Sequence, residues 1–478
     1  MRTVRRIRLR VRALWARSLQ WSRACLRRLT GKPSAGKTQP MPVTPGIDPL
    51  YLHPHAAANE PVTLHQGPIT IQGGNTGTGT LTLRWLPSTG LELEADLSSM
   101  DPPQPGARIT ADIAGSTAEV LFTSMNIGNG DSGPFAKVSG VISAFEKGTS
   151  AGLKELGFQV VNFQDFLTPG PRQTPIFGYP PHVADLRYSG WHIQLTAVQQ
   201  SKEIFKSLGE TGGYAFTHLG RLERDDSSLF AAQDAEAILR ALARFLSFAR
   251  GAACSLPIRW GAGADGTIVW EQWRSQPIDP WKGRDNWFDE QHGDLLSELF
   301  RAFAQADADP ELGPPVSLAL HWYQKSNTRA GGMEGAIILG LTALDLLGAM
   351  VVVDRAAVMS ASKYDNLPAK LKLAQLLDVM KVPLVIPAKL SHLAAFAATN
   401  GWQTPCETLA EIRHGYVHSN KKRRQVVLSA PNLATFEAWQ LSLWYQELAL
   451  LYLLDHRGEY RNRLTAEWLG EVEKVPWV

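Results

Sequence analysis

The stretch Gly335–Val353, GAIILGLTALDLLGAMVVV, runs for nineteen residues with Asp345 as its single charged side chain. Its length and apolarity would allow a membrane span, since about 20 apolar residues cross a bilayer. Asp345 near the middle argues against one, because an acid in hydrocarbon is costly, and the flanks carry neither an aromatic belt nor a strong basic stop. The centre of a soluble helical bundle equally requires a helix that is apolar all round. The stretch is therefore read as a core helix, with no membrane span, and Asp345 as a buried carboxylate that needs a partner.

Working outward, residues 311–478 show helical spacing with short connectors. Helices are expected near 316–328, 332–353, 364–380, 388–400, 404–418 and 432–457, with breaks at Pro383, Pro387, Gly401 and Pro431. This is an all-α helical bundle of about 165 residues. Residues 229–310 read as a connecting region, with a helix over 229–251 and a hairpin in which Ile258–Trp260 and Thr267–Trp270 flank an Asp265-Gly266 turn. Trp260, Trp270, Trp273, Trp281 and Trp287 crowd this region, as a stacking platform or, more often for such clusters, as core or the seam between domains.

Residues 41–228 alternate apolar and polar side chains at period two. Val62–Leu64, Ile69–Ile71, Leu81–Trp85, Leu91–Ala95, Ile109–Ile113, Phe158–Phe163 and Trp191–Val198 read as half-buried strands, with turn chemistry at 73–77 and 126–131. The fold class is thus α+β, an N-terminal β-rich antiparallel sandwich or open barrel followed by the C-terminal bundle. No spacing of acids or histidines in the β-rich part suggests a metal or a catalytic pair, so it is read as a sensing surface.

The chain has 478 residues and a formal charge of +3, which hides an asymmetry. Residues 1–38 hold twelve basic and no acidic side chains, leaving 36 basic against 45 acidic residues elsewhere, a formal charge of −9. Residues 1–40 lack the uninterrupted apolar core of a secretory signal and are expected to be a disordered basic tail or a mis-assigned start, with Met41 as the alternative first residue. Gly31–Thr38 matches the phosphate-loop pattern literally, but an Arg-rich segment leads in and Pro40 and Pro42 lead out where a strand and a helix are needed. It is not read as a nucleotide site. Cys25, Cys254 and Cys406 are scattered, which excludes a zinc ribbon or disulfide framework and fits a cytoplasmic protein.

The chemistry-bearing segment is Glu411-Ile412-Arg413-His414-Gly415-Tyr416-Val417-His418, followed by Lys421-Lys422-Arg423-Arg424. On an ideal helix His414 and His418 share a face, while Arg413 and His418 diverge by about 140°. Gly415 is expected to ease a distortion that brings them together, unless the pairing is completed across a dimer. The plainer reading has Arg413 bound to Asp345 or Glu411, closing the bundle.

Arg413-His414-Gly415-Tyr416-Val417-His418 resembles the HEPN signature of Arg, a polar residue, three residues and His. Its place late in a bundle, before a long helix, matches too, and Leu341–Leu347 resembles the earlier HEPN helix that carries an acid, here Asp345. The likeness covers roughly residues 315–460, with His414 standing where the family usually has Asn. The β-rich first half joined to it is similar to ApeA-type anti-phage proteins. This resemblance implies metal-independent endoribonuclease activity without a cofactor, a composite site in a homodimer, RNA as partner, and an abortive-infection role with a phage-derived or small-molecule trigger at the β-rich half. In that reading Arg413, His418 and His414 are catalytic, Asp345, Glu411 and Tyr416 supporting, and Lys421, Lys422, Arg423 and Arg424 bind RNA. The alternative is an inactive HEPN bundle that dimerises or binds a partner while the β-rich half takes a ligand.

Overall fold

The computed structural model describes residues 57–478 apart from 73, 99–101, 131–132, 169–182, 199 and 284. The basic tail, the phosphate-loop-like Gly31–Thr38, Met41 and Cys25 lie outside the described residues.

Six antiparallel strands form the first layer: β1 (Val62–Ile71), β2 (Asn75–Arg84), β3 (Gly90–Leu97), β4 (Arg108–Ile113), β5 (Ser116–Gly130) and β6 (Gly133–Ile142). They run in the order β1-β2-β3-β6-β5-β4, and β4 pairs back on β1 through Ile69 and Ile113, so the barrel is closed rather than open. Period-two alternation turns Ile69, Ile71, Leu81, Leu93 and Val138 inward, where each is essentially unexposed. Residues 126–130, which sequence chemistry assigns to a turn, lie inside β5; the strand continues through Gly128 because it stays paired with β6 to Gly130.

A second, seven-stranded antiparallel sheet follows: β7 (Ala144–Gly148), β8 (Glu155–Val161), β9 (Val183–Tyr188), β10 (Trp191–Ala197), β11 (Phe216–Arg224), β12 (Ser255–Ala262) and β13 (Ile268–Arg274), in the order β7-β13-β12-β8-β11-β10-β9. The expected hairpin at 258–270 is present as β12–β13, and it is part of this sheet, because β12 pairs with β8. Helix α1 (Ser201–Thr211) precedes β11, and α2 (Glu236–Arg250) precedes β12. Helix α2 ends where Gly251 adopts φ 70°, a left-handed cap that a side chain would strain.

The sheet is a middle layer. Val161, Phe216, Ile258 and Trp273 pack with the barrel interior, whereas Phe158, Val160, Leu222 and Trp270 pack with α2 and the helices beyond. Strands β8 and β12, covered on both sides, are accordingly buried almost throughout. Trp260, Trp270, Trp273 and Trp287 are buried and Trp281 is half-buried against the barrel-side core, so these tryptophans are core and no open stacking platform.

The helical part comprises α3 (Asp294–Ala308), α4 (Gly313–Asn327), α5 (Gly332–Ala349), a π turn over Met350–Arg355, α6 (Ala361–Asp365), α7 (Ala369–Val379), α8 (Ser391–Thr399), α9 (Pro405–Val417), α10 (Lys421–Leu428) and α11 (Asn432–Leu453). Among the described residues α5 with its π turn is the one helix long and apolar enough to cross a membrane; 61% of that window is buried within the protein. It packs between α4 and α11. Inside the bundle Arg463 donates to Glu447 at 2.6 Å with both side chains fully buried, and Tyr323 and Gln440 complete the cluster as hydrogen-bond partners. Such a pair is tolerated because every charge is matched and hydrogen-bonded.

Candidate functional site

Helix α9 begins where the Thr404 hydroxyl accepts the Glu407 N–H at 3.1 Å and Pro405 takes the first turn, which needs no N–H donor. It ends at His418, whose backbone is extended while its N–H still reaches the His414 carbonyl at 3.0 Å. The last turn therefore presents His414 and His418 together, with ring centroids 5.1 Å apart. His418 is exposed and His414 half-buried. Glu411, one turn back, lies 3.9 Å from His414 Nδ1 and 3.4 Å from Arg423 Nε.

Burial lowers the His414 pKa from its usual value; Glu411 opposes this, and Arg423, His418 and Arg413 add to it. His414 is thus held neutral at pH 7, able to accept or to donate one hydrogen bond. The basic run sits on α10, where Asn420 caps the helix by accepting the Arg423 N–H at 3.1 Å. Lys421, Lys422, Arg423 and Arg424 are all exposed. Cations at a helix N-terminus oppose the helix dipole, so this turn concentrates positive potential beside the two histidines.

Gly415 serves a purpose other than the expected one. It is buried against α10, and a Cβ there would stand 2.2 Å from Val427 Cγ2 and 3.1 Å from the Arg423 carbonyl. Its missing side chain lets α10 lie against α9; the helix itself runs on undistorted to Val417.

Arg413 faces a different neighbour. With Asp345, Lys372 and Ala410 it lines a cavity of about 30 Å³ between α5, α7 and α9. Asp345 is not the buried carboxylate the sequence suggests. Its side chain is 46% exposed, because α5 turns Leu344 and Leu347 to the core instead, and it pairs with Lys372 at 3.5 Å. Arg413 forms no ion pair with it, and its Nε is buried without a hydrogen-bond partner. Tyr416 is half-buried against the bundle core; burial raises its pKa, and a hydrogen bond with Thr435 works the other way. The structure thus gathers His414, His418, Glu411 and Arg423 on one edge, sets Arg413 and Asp345 in an adjoining cavity, and turns Tyr416 toward α11. Lys372 is the member that sequence reasoning misses, since nothing in the spacing of α7 marks it apart from its neighbours.

Among the described residues no cluster of three or more His, Cys, Asp or Glu side chains is placed to hold a metal ion. Cys254 and Cys406 are buried, and burial pushes the Cys406 thiol up to about 12.

Two family models match the chain, described as the YopA central domain over residues 148–284 and the YopA C-terminal domain over residues 309–474. The first covers most of the seven-stranded sheet, and the second the bundle from α4 onward. A relative from Bacillus subtilis (strain 168), described as the SPbeta prophage-derived uncharacterized protein YopA, is 26% identical over 435 residues, covering 88% of this chain and 95% of the relative. No solved structure matches the chain.

Proposed function

We propose that the chain is a metal-independent endoribonuclease of HEPN type, acting as a homodimer under control of its β-rich part. The observation that carries the reading is the end of α9, where two histidines with rings 5.1 Å apart stand on an open edge beside an exposed basic turn. Cleavage by the ribose 2′-OH needs a base, an acid and a cation. His418 takes the 2′-OH proton as the 2′-oxygen attacks phosphorus, and the imidazolium so formed gives that proton to the 5′-oxygen as its bond to phosphorus breaks. His414, neutral by its burial, orients the attacking group. Arg413 is the guanidinium available to neutralise the pentacoordinate phosphorane, since its Nε has no hydrogen-bond partner among the described residues. The products are a 2′,3′-cyclic phosphate and a 5′-hydroxyl.

Apolar side chains are exposed at the end of α9 and on α10 and α11 that follow it, Val417, Leu428, Leu433 and Phe436 at 44%, 70%, 54% and 39% exposure. They fit a second copy closing over the site, with Lys421–Arg424 drawing RNA to its rim. The prophage origin in the relative's description is in keeping with a role in conflict between phages and their host.

A second reading, an inactive bundle used for dimerisation or partner binding, draws on the position of Arg413, which sits in the cavity with Asp345 while His418 is in solvent. Expression of the full chain beside His418→Ala, with growth and RNA ends followed with and without phage challenge, separates the two. The nuclease reading expects 2′,3′-cyclic phosphate ends from the wild type alone; identical RNA ends from both folded proteins would leave the bundle without chemistry.

A further inference from the structure

A second polar cavity, of about 330 Å³, opens far along the chain from the histidine pair, where α2, β12, β13 and α4 meet. Residues Glu236, Arg240, Arg244 and Ser247 place four polar side chains along one stripe of α2, while Leu239, Leu242 and Leu246 hold its other side in the core. The sheet adds Arg259 and Arg274, and α4 closes the far wall with Ser317, His321 and Gln324. The size is that of a small-molecule site, but the lining is polar and cationic where such sites are mostly apolar.

The charges do not balance. Glu236 accepts from Arg259 Nη1 at 2.9 Å and from Arg274 Nη1 at 3.0 Å, so one carboxylate serves two guanidiniums. Arg244 is held by Asp307 at 2.6 Å. Arg240, exposed at the mouth, makes no ion pair among the described residues. Four guanidiniums therefore meet two carboxylates, and two positive charges remain. Arg259 makes this expensive: its side chain is only 3% exposed and its Nε, like that of Arg274, is buried with no hydrogen-bond partner. An unsatisfied donor on a buried cation is a cost the fold bears without return unless an acceptor arrives. Burial lowers the Arg259 pKa, Glu236 opposes this, and Arg274 beside it lowers it further, which fits a site short of negative charge.

We propose that this cavity binds a small phosphorylated ligand, a nucleotide or a similar phosphate ester, through Arg240, Arg259 and Arg274. A phosphate dianion supplies the two missing negative charges, and a pair of its oxygens accepts the two parallel N–H donors of a planar guanidinium. Glu236 is the internal counter-ion that the ligand must displace or share. Occupancy would join α2 and the sheet to α4 in the helical part, so the site stands where a signal could pass between the β-rich part and the helices.

The test is calorimetric titration of the full chain with inorganic phosphate, pyrophosphate, ADP and ATP, with adenosine and a short oligoribonucleotide as controls. Binding by ADP or ATP with none by adenosine is the expected result, and phosphate or pyrophosphate alone binding would assign the site to the inorganic ion instead of an ester. Arg240→Gln should weaken binding at least tenfold without changing the melting temperature of the free protein. Glu236→Gln should tighten binding several-fold, because it removes the competing carboxylate, and a merely damaged fold would not produce that opposite sign. Absence of binding by every phosphate compound, binding by the oligoribonucleotide alone, or affinities untouched by both substitutions would overturn the assignment.

Discussion

Gly415→Ala probes the candidate site without touching any residue that handles RNA. The new Cβ would sit 2.2 Å from Val427 Cγ2 and 2.8 Å from Val427 Cβ. Carbon atoms rest at about 3.5–4.0 Å, so α10 must retreat by roughly 1.5 Å at this contact. Val427 is buried and 3.1 Å separates the same point from the Arg423 carbonyl, so the backbone has to move along with the side chain. Overpacking of this kind costs about 1–3 kcal/mol, while alanine gains about 1 kcal/mol over glycine inside a helix. The net destabilisation is thus about 0–2 kcal/mol, a fall in melting temperature of a few degrees at most for a chain of this size. The effect on chemistry is larger. Arg423 and the basic turn would leave their place beside Glu411 and His414, and a misplacement on the order of 1 Å can cost about a hundredfold in rate. Thermal unfolding followed by circular dichroism, together with cleavage of a labelled RNA below the melting temperature, measures both quantities. A variant that is more stable by about 1 kcal/mol and cleaves RNA as fast as the wild type would refute both the close packing of α10 on α9 and its part in the site.

Three further outcomes follow from charged side chains. Burial and the neighbouring Asp165 and Asp289 raise the Glu290 pKa to about 7, against the partial relief given by Arg461. The folded state then binds more protons than the unfolded state between about pH 4.5 and 7, so this residue makes stability fall as pH rises through that window and stay level above it. Glu290→Gln should match the wild type near pH 5 and exceed it above pH 7, by on the order of 3 kcal/mol at most, in urea unfolding at a series of pH values; a difference independent of pH would count against the assignment. Glu447→Gln leaves Arg463 buried without its counter-charge and should cost about 3–5 kcal/mol in chemical denaturation, with much of the loss recovered by a second change, Arg463→Met. Asp345→Asn removes an ion pair that is nearly half exposed, so its melting temperature should stay within about a degree of wild type, consistent with a pair worth under about 1 kcal/mol.

What sequence could reveal followed how local each signal was. Helix α9 was legible within one residue at each end, because a threonine cap, a proline in the first turn and an acid near the N-terminus all lie within four positions. The β12–β13 hairpin was legible for the same reason, its Asp265-Gly266 turn being a local instruction. Barrel closure was not, since it depends on β4 reaching back to β1 across some forty residues. Helix α10 escaped notice because its first turn is four cations, an arrangement the helix dipole disfavours, and it is held by Asn420 and by packing of Val427 on Gly415. Helix α3 carries clear spacing in Leu295, Leu296, Leu299, Phe300 and Phe303, yet it lies within the segment assigned to a connector. At the site, four-residue spacing correctly joined His414 to His418. It could not say which way Asp345 faces, because in an almost uniformly apolar helix periodicity gives no direction, nor could it bring Lys372 from a separate helix into the Arg413 cavity.

The most direct measurement of the central claim uses the purified full chain, a labelled RNA oligonucleotide and the same oligonucleotide carrying a 2′-deoxy residue at the cleaved position, in the presence of a metal chelator. The account predicts cleavage of the all-ribose strand to a 2′,3′-cyclic phosphate and a 5′-hydroxyl, none at the 2′-deoxy position, and loss of cleavage in His418→Ala. Cleavage that survives the 2′-deoxy substitution, stops with the chelator or persists in His418→Ala would contradict it.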